Sequence, residues 1–139
     1  MGKTGYFTHP DCRKHDMGAG HPECPERLDA IDDRLLITGV ADALDRREAT
    51  PAAMGELLLA HGRRHVAALR GLNDILAEEI DAGGPDRYSL DPDTSMNRFT
   101  YRAALLSAGA AIDAVDAVMA GELENAFCAT RPPGHHATR

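Results

Sequence analysis

Apolar and polar positions follow two different periods along this chain. Thr4-Gly5-Tyr6-Phe7-Thr8 is a short β-prone run closed by His9-Pro10, and it predicts a first strand. Residues 9 to 24 read as a polar loop rich in His, Gly and Pro. Pro25 suits a first helical position, with Glu26 in the favourable first turn; Leu28, Ile31 and Leu35 then recur at helical spacing up to a stop at Gly39. Thr50-Pro51 repeats the cap-then-proline start, and Met54, Leu57 and Leu58 give a short helix its apolar side. A longer helix is predicted from Arg63, with Val66, Leu69, Leu72, Leu76 and Ile80 on one stripe, and Gly83-Gly84-Pro85 ends it. The stretch 86 to 97, dense in Asp, Pro and Ser, reads as a loop. A further long helix spans about Arg98 to Ala120, with Leu105, Ala108, Ile112, Val115 and Met119 inward, Asp113 and Asp116 outward, and Gly121 as its cap. Asn125 to Thr130 is short, apolar and flanked by breakers, the pattern of a buried strand.

Helices separated by short apolar strands predict an α/β layer with a parallel sheet. Only two strands are legible among four helices, and a two-stranded sheet is marginal. Sites in such folds lie just past the carboxyl ends of strands. The chain stops at Arg139, where a site should begin, so residues 1–139 read as the N-terminal part of a single, longer domain.

Composition narrows the choices. The 139 residues suffice for one core, and the 43% apolar and 27% charged fractions are ordinary for a globular chain. Acidic groups outnumber basic ones by 22 to 15, a net charge of −7, and no Lys/Arg cluster offers a phosphate site, which argues against nucleic acid. No apolar run reaches membrane-spanning length and no signal-like stretch opens the chain, so the expectation is a cytoplasmic protein. Cys12, Cys24 and Cys128 read as free thiols or ligands rather than a disulfide framework.

The chemistry concentrates at Arg131-Pro132-Pro133-Gly134-His135-His136-Ala137. Two prolines stop the strand and stiffen the loop, and Gly134 permits a positive φ or a close approach. Two adjacent imidazoles on such a turn suit acid–base work near neutral pH; a solvent-exposed turn that happens to hold two histidines is the plain alternative. R-P-P-G-H-H-A resembles the tandem-histidine motif of the histone deacetylase family, which includes the bacterial deacetylase-like amidohydrolases and acetylpolyamine amidohydrolases. His21-Pro22-Glu23-Cys24-Pro25-Glu26-Arg27-Leu28 is similar to the H-P-E-x-P-x-R segment of the class II branch, and residues 99 to 121 are similar to the Ala/Gly-rich helix before the motif.

The resemblance implies an arginase-like α/β fold and zinc-dependent hydrolysis of an N-acetyl amide, on acetyl-lysine or an acetylated small amine such as a polyamine. His136 is then the main general base, and His135 supports the oxyanion or donates a proton to the leaving amine. Asp93 falls at the family's rim aspartate, with Asp91 as its register-shifted competitor; an acid favouring the next helix N-terminus is the other reading. Arg27 resembles the arginine behind the catalytic pocket, where an ordinary first-turn arginine is the alternative. Gly134 belongs to the same substrate-binding set, and His21 and Glu23 shape the loop. The family's zinc ligands lie C-terminal to the tandem histidines, so this chain alone is expected to be inactive, with its Zn2+ ligands beyond residue 139.

Two non-catalytic readings compete. Cys12, His15, His21 and Cys24 could close a tetrahedral structural zinc site in the 9–24 loop, against a loop that merely lines a pocket rim. Alternatively, the chain is a truncated, inactive partner that forms a homo-oligomer through exposed strand edges.

Overall fold

The computed structural model describes residues 2–135. Three parallel strands form its centre in the order β2-β1-β5, where β1 is Thr4–Thr8, β2 is Leu44–Glu48 and β5 is Asn125–Cys128. Thr4 pairs with Leu44 on one side and Asn125 on the other, and Phe7 with Arg47 and Cys128. Strand β1 supplies the apolar centre because Gly5, Tyr6 and Phe7 are all buried. Helix α1 (Glu26–Ile37) covers the Tyr6 face, and Tyr6 Oη donates to Asp32 Oδ1 at 2.8 Å. Gly39, at φ 73°, takes the left-handed stop expected of it.

Helix α4 (Thr100–Met119) covers the opposite face, and Cys128 Sγ reaches the Ala110 carbonyl at 3.4 Å. Its buried stripe is Ala103, Leu106, Ala110, Ala114 and Ala117, with Phe7, Leu123 and Ala129 in the same core. This corrects the expected inward face: Val115 is 60% and Met119 81% exposed. Small residues won the interior because the backbone of residues 50–52 lies directly on the helix. A Cβ at Gly109 would strike the Thr50 carbonyl, and Ala52 N–H donates to the Leu105 carbonyl at 2.9 Å. Asp113, expected outward, caps this segment by accepting from Thr50 N–H at 2.8 Å. Thr50 therefore does not cap the short helix α2 (Met54–Leu57); Glu56 instead reaches back to Ala53 N–H at 2.6 Å.

Helix α3 (Arg63–Asp81) buries Val66 and Leu76 on the stripe predicted for it. Residues 86–97 are not a loop. They form an antiparallel hairpin of β3 (Arg87–Asp91) and β4 (Thr94–Asn97), in which β3 is mostly exposed, β4 half-buried and Met96 alone fully buried. No helix among the described residues is long and apolar enough to cross a membrane. A groove of about 460 Å³ opens beside α1, lined by Tyr6, Ile31, Leu35, Leu44 and Phe127, and none of the candidate site residues borders it.

Candidate active site

The candidate turn leaves the carboxyl end of β5, beside the end of β1. Ala129 N–H donates to the Phe7 carbonyl at 2.8 Å, and Thr8 Oγ1 donates back to the Ala129 carbonyl at 2.8 Å. Ser107 on α4 holds the next residues: its Oγ lies 3.0 Å from Thr130 Oγ1 and donates to the Pro132 carbonyl at 3.1 Å. The Arg131–Pro132 peptide bond is cis. Gly134 and His135 are exposed, and His136 lies outside the described residues. Gly134 uses neither freedom expected of it, since its φ is not positive and no described atom approaches within 4 Å of a Cβ placed there.

The strongest polar constellation is one that the pattern of residues did not reveal. Arg131 points inward and is 1% exposed. Its Nε donates to Glu23 Oε1 at 2.6 Å and its Nη2 to Glu23 Oε2 at 2.8 Å, a two-pronged grip on one carboxylate. Nη2 also reaches the Glu23 carbonyl at 3.4 Å, while Nη1 donates to the carbonyls of Cys12 at 3.0 Å and His15 at 2.7 Å. Five contacts match the five N–H donors of a guanidinium. His15, equally buried, completes the cluster. Its Nδ1 is 2.8 Å from Thr100 Oγ1, and its Nε2 is 3.4 Å from Glu23 Oε2 without hydrogen-bond geometry. Burial first, and then the Arg131 charge, hold the His15 imidazole below its usual range, so it is neutral at pH 7. Asn97 ties in the hairpin end, donating from Nδ2 to the Lys14 carbonyl at 2.8 Å.

The other predicted residues are partly assembled. His21 and Asp93 meet, with His21 Nε2 3.2 Å from Asp93 Oδ1, while His21 Nδ1 accepts from Glu23 N–H at 3.0 Å. Asp93 occupies the turn between β3 and β4, so the reading of it as a helix N-terminal acid does not match the chain's course. Its N–H donates to Asp91 Oδ1 at 2.8 Å. Arg27 sits in the first turn of α1 with its side chain half exposed, 3.4 Å from Glu23 Oε1. The interior guanidinium that binds backbone carbonyls is that of Arg131.

Cys12, His15, His21 and Cys24 do not converge. Among the described residues no group of three or more His, Cys, Asp or Glu side chains is placed to hold a metal ion. Cys12 is fully buried, and burial raises its thiol above the usual range. His15 is engaged by Thr100 and His21 by Asp93.

With this geometry in place, comparison with known proteins is decisive. Residues 21–139 match the histone deacetylase domain. The chain belongs to the histone deacetylase family. It is 40% identical over 118 residues to a histone deacetylase-like amidohydrolase of Pseudomonas aeruginosa, covering 85% of this chain and 28% of that protein. It is 37% identical over 142 residues to the polyamine deacetylase HDAC10 of Homo sapiens, covering 98% of this chain and 20% of that protein. The crystal structure of the HDA15 HD domain superposes with a TM-score of 0.84 at 30% identity, over 98% of this chain and 37% of that one. The chain thus spans well under half the length of these relatives. Their shared parallel sheet with flanking helices is the fold expected from the pattern of elements.

Proposed function

We propose that the protein to which this chain contributes hydrolyses an N-acetyl amide, releasing acetate and a free amine. One observation carries this reading: the R-P-P-G-H segment that opens the tandem-histidine motif leaves the carboxyl end of a parallel strand and is rooted by a buried arginine. Water adds to the acetyl carbonyl carbon, the C–N bond breaks, and the amine leaves with a proton. In this scheme His136 accepts the proton of the attacking water, and His135 donates to the amine or supports the oxyanion. Among the described residues no group of side chains is placed to hold a zinc ion; the zinc that the resemblance implies is proposed to be held by residues C-terminal to the tandem histidines.

The substrate is proposed to be acetyl-lysine or an acetylated small amine, consistent with relatives named as a polyamine deacetylase and an amidohydrolase. Asp93, on the exposed hairpin turn and within reach of His21, is proposed as a substrate-holding rim residue, with Gly134 and Arg27 contributing to the same pocket. The test is acetate release from a panel of acetylated amines by the whole protein. His136→Ala is expected to lower the rate by about 10²-fold or more, the scale of a lost general base. A rate near wild type would remove the role given to the pair.

A further inference from the structure

We propose that Glu23 and Arg131 are positioning residues for the tandem-histidine turn: Glu23 fixes Arg131, and Arg131 fixes the backbone that leads to His135, the neighbour of His136 in sequence. The proposal rests on the catalytic reading of those histidines. Three observations carry it. The pair is buried and two-pronged, at 2.6 and 2.8 Å, so its geometry has little freedom. Arg131 lies only four residues before His135, and two of the three intervening residues, Pro132 and Pro133, each have a fixed φ, so a displacement at Arg131 is carried along a link stiff up to Gly134. The outer side of the same link is held independently, by Ser107 on the Pro132 carbonyl and Thr130 Oγ1.

Glu23 in turn belongs to the segment that joins the 10–15 turn, whose Cys12 and His15 are buried, to α1. The carbonyls of Cys12 and His15 accept from the same guanidinium, so two remote stretches of chain meet on one side chain. The consequence is specific. A pair that served folding alone would, when weakened, lower the amount of folded protein and leave each folded molecule fully active. A pair that aims the histidines lowers the chemical step in molecules that are folded.

The experiment uses the whole protein with Glu23→Gln and Arg131→Lys. The first keeps size and one acceptor while removing the charge; the second keeps the charge and loses the fork. Leu76→Ala, a core truncation in α3, serves as the control for destabilisation. Three quantities are read: kcat and KM on an acetylated amine, thermal midpoint, and the imidazole NMR resonances of His135 and His136. Both pair variants are expected to lower kcat per folded molecule 10-fold or more, with KM within about twofold, because general acid–base geometry is lost while the substrate contacts remain. The His135 and His136 resonances should move while those of His61 and His65 stay. Leu76→Ala should keep wild-type kcat per folded molecule.

The proposal is overturned if a folded pair variant keeps wild-type kcat and unmoved His135 and His136 resonances, or if it loses activity only in step with its unfolded fraction. Should Arg131→Lys fail to fold, Glu23→Gln decides alone. If the wild-type protein releases no acetate, the deacetylase reading fails, and the imidazole resonances still decide whether the pair positions the turn.

Discussion

Two arginine–carboxylate clusters, one against strand β1 and one beyond the carboxyl end of β5, differ in almost everything except their chemistry. On the α1 face, Asp32 accepts from Tyr6 Oη at 2.8 Å, Arg46 Nη2 at 3.1 Å and Arg13 Nη2 at 2.8 Å, and its side chain is 21% exposed. At the carboxyl end of the strands, Glu23 and Arg131 are sealed from water and bonded to each other and to main-chain carbonyls. The first cluster has several partners and tolerates the loss of one. In the second, removing Glu23 strands the buried Arg131 charge, and removing Arg131 leaves Glu23 only the half-exposed Arg27 at 3.4 Å. Exposure, not the number of bonds, separates a replaceable contact from an indispensable one.

Replacing Arg131 with Met should have the largest effect, about 3 kcal/mol of unfolding free energy measured by denaturant titration of the whole protein, since the buried Glu23 carboxylate loses its two-pronged partner and keeps only the half-exposed Arg27 at 3.4 Å. A loss under about 1 kcal/mol would erase the contrast. Tyr6→Phe, by removing one of three donors to Asp32, should cost about 1 kcal/mol.

The two clusters should also separate along the pH axis. His15 is held below its usual range, so its contribution is complete above the unfolded value near 6.5 and falls away as pH drops through it. For Asp32, burial pushes upward, but hydrogen bonds from Tyr6, Arg46 and Arg13 leave its carboxyl lower than usual, so its contribution fades only below about pH 4. Denaturation midpoints followed across pH should show both steps, and His15→Gln should remove only the upper one. The Tyr6 hydroxyl is pushed up to about 12 by burial and by Asp32. Its share of stability should therefore persist below pH 10 and be lost as pH rises toward 12, as phenolate absorbance would report. Arg46→Met should cost least, under about 1 kcal/mol, and the difference should shrink in high salt.

The sequence made the apolar elements legible and concealed the charged ones. Strand β1 and the stripe of α3 could be read directly because their burial is expressed in their own side chains; β5 was legible as an apolar run, but the burial expected of it is corrected, since none of Asn125–Cys128 is buried and Phe127 is 52% exposed. Strand β2, Leu-Asp-Arg-Arg-Glu, could not: it is a charged outer strand whose Arg46 lies over the Tyr6 ring and whose Arg47 pairs with Glu122 at 2.7 Å. The β3–β4 hairpin was hidden by its own turn chemistry, Asp91-Pro92-Asp93, and by having a single buried residue, Met96. On α4, periodicity selected the larger side chains, while the close approach of Thr50 required the small ones. The tandem-histidine motif stood out at once. Arg131 within it read as one more charged residue, since nothing local reveals that a carboxylate more than a hundred positions earlier awaits it. The nearest available hint was Glu23 in the H-P-E segment, read only as a loop-shaping acid.

The order of the sheet also bears on how the chain comes together during synthesis. Thr4 is flanked by Leu44 and Asn125, so β1 is enclosed on both sides only once β5 has been made. Until Asn125–Cys128 has been translated, one side of β1 remains without its native neighbour, and pairing across so long an intervening stretch is intrinsically slow. The growing polypeptide must keep that side open while more than a hundred later residues emerge.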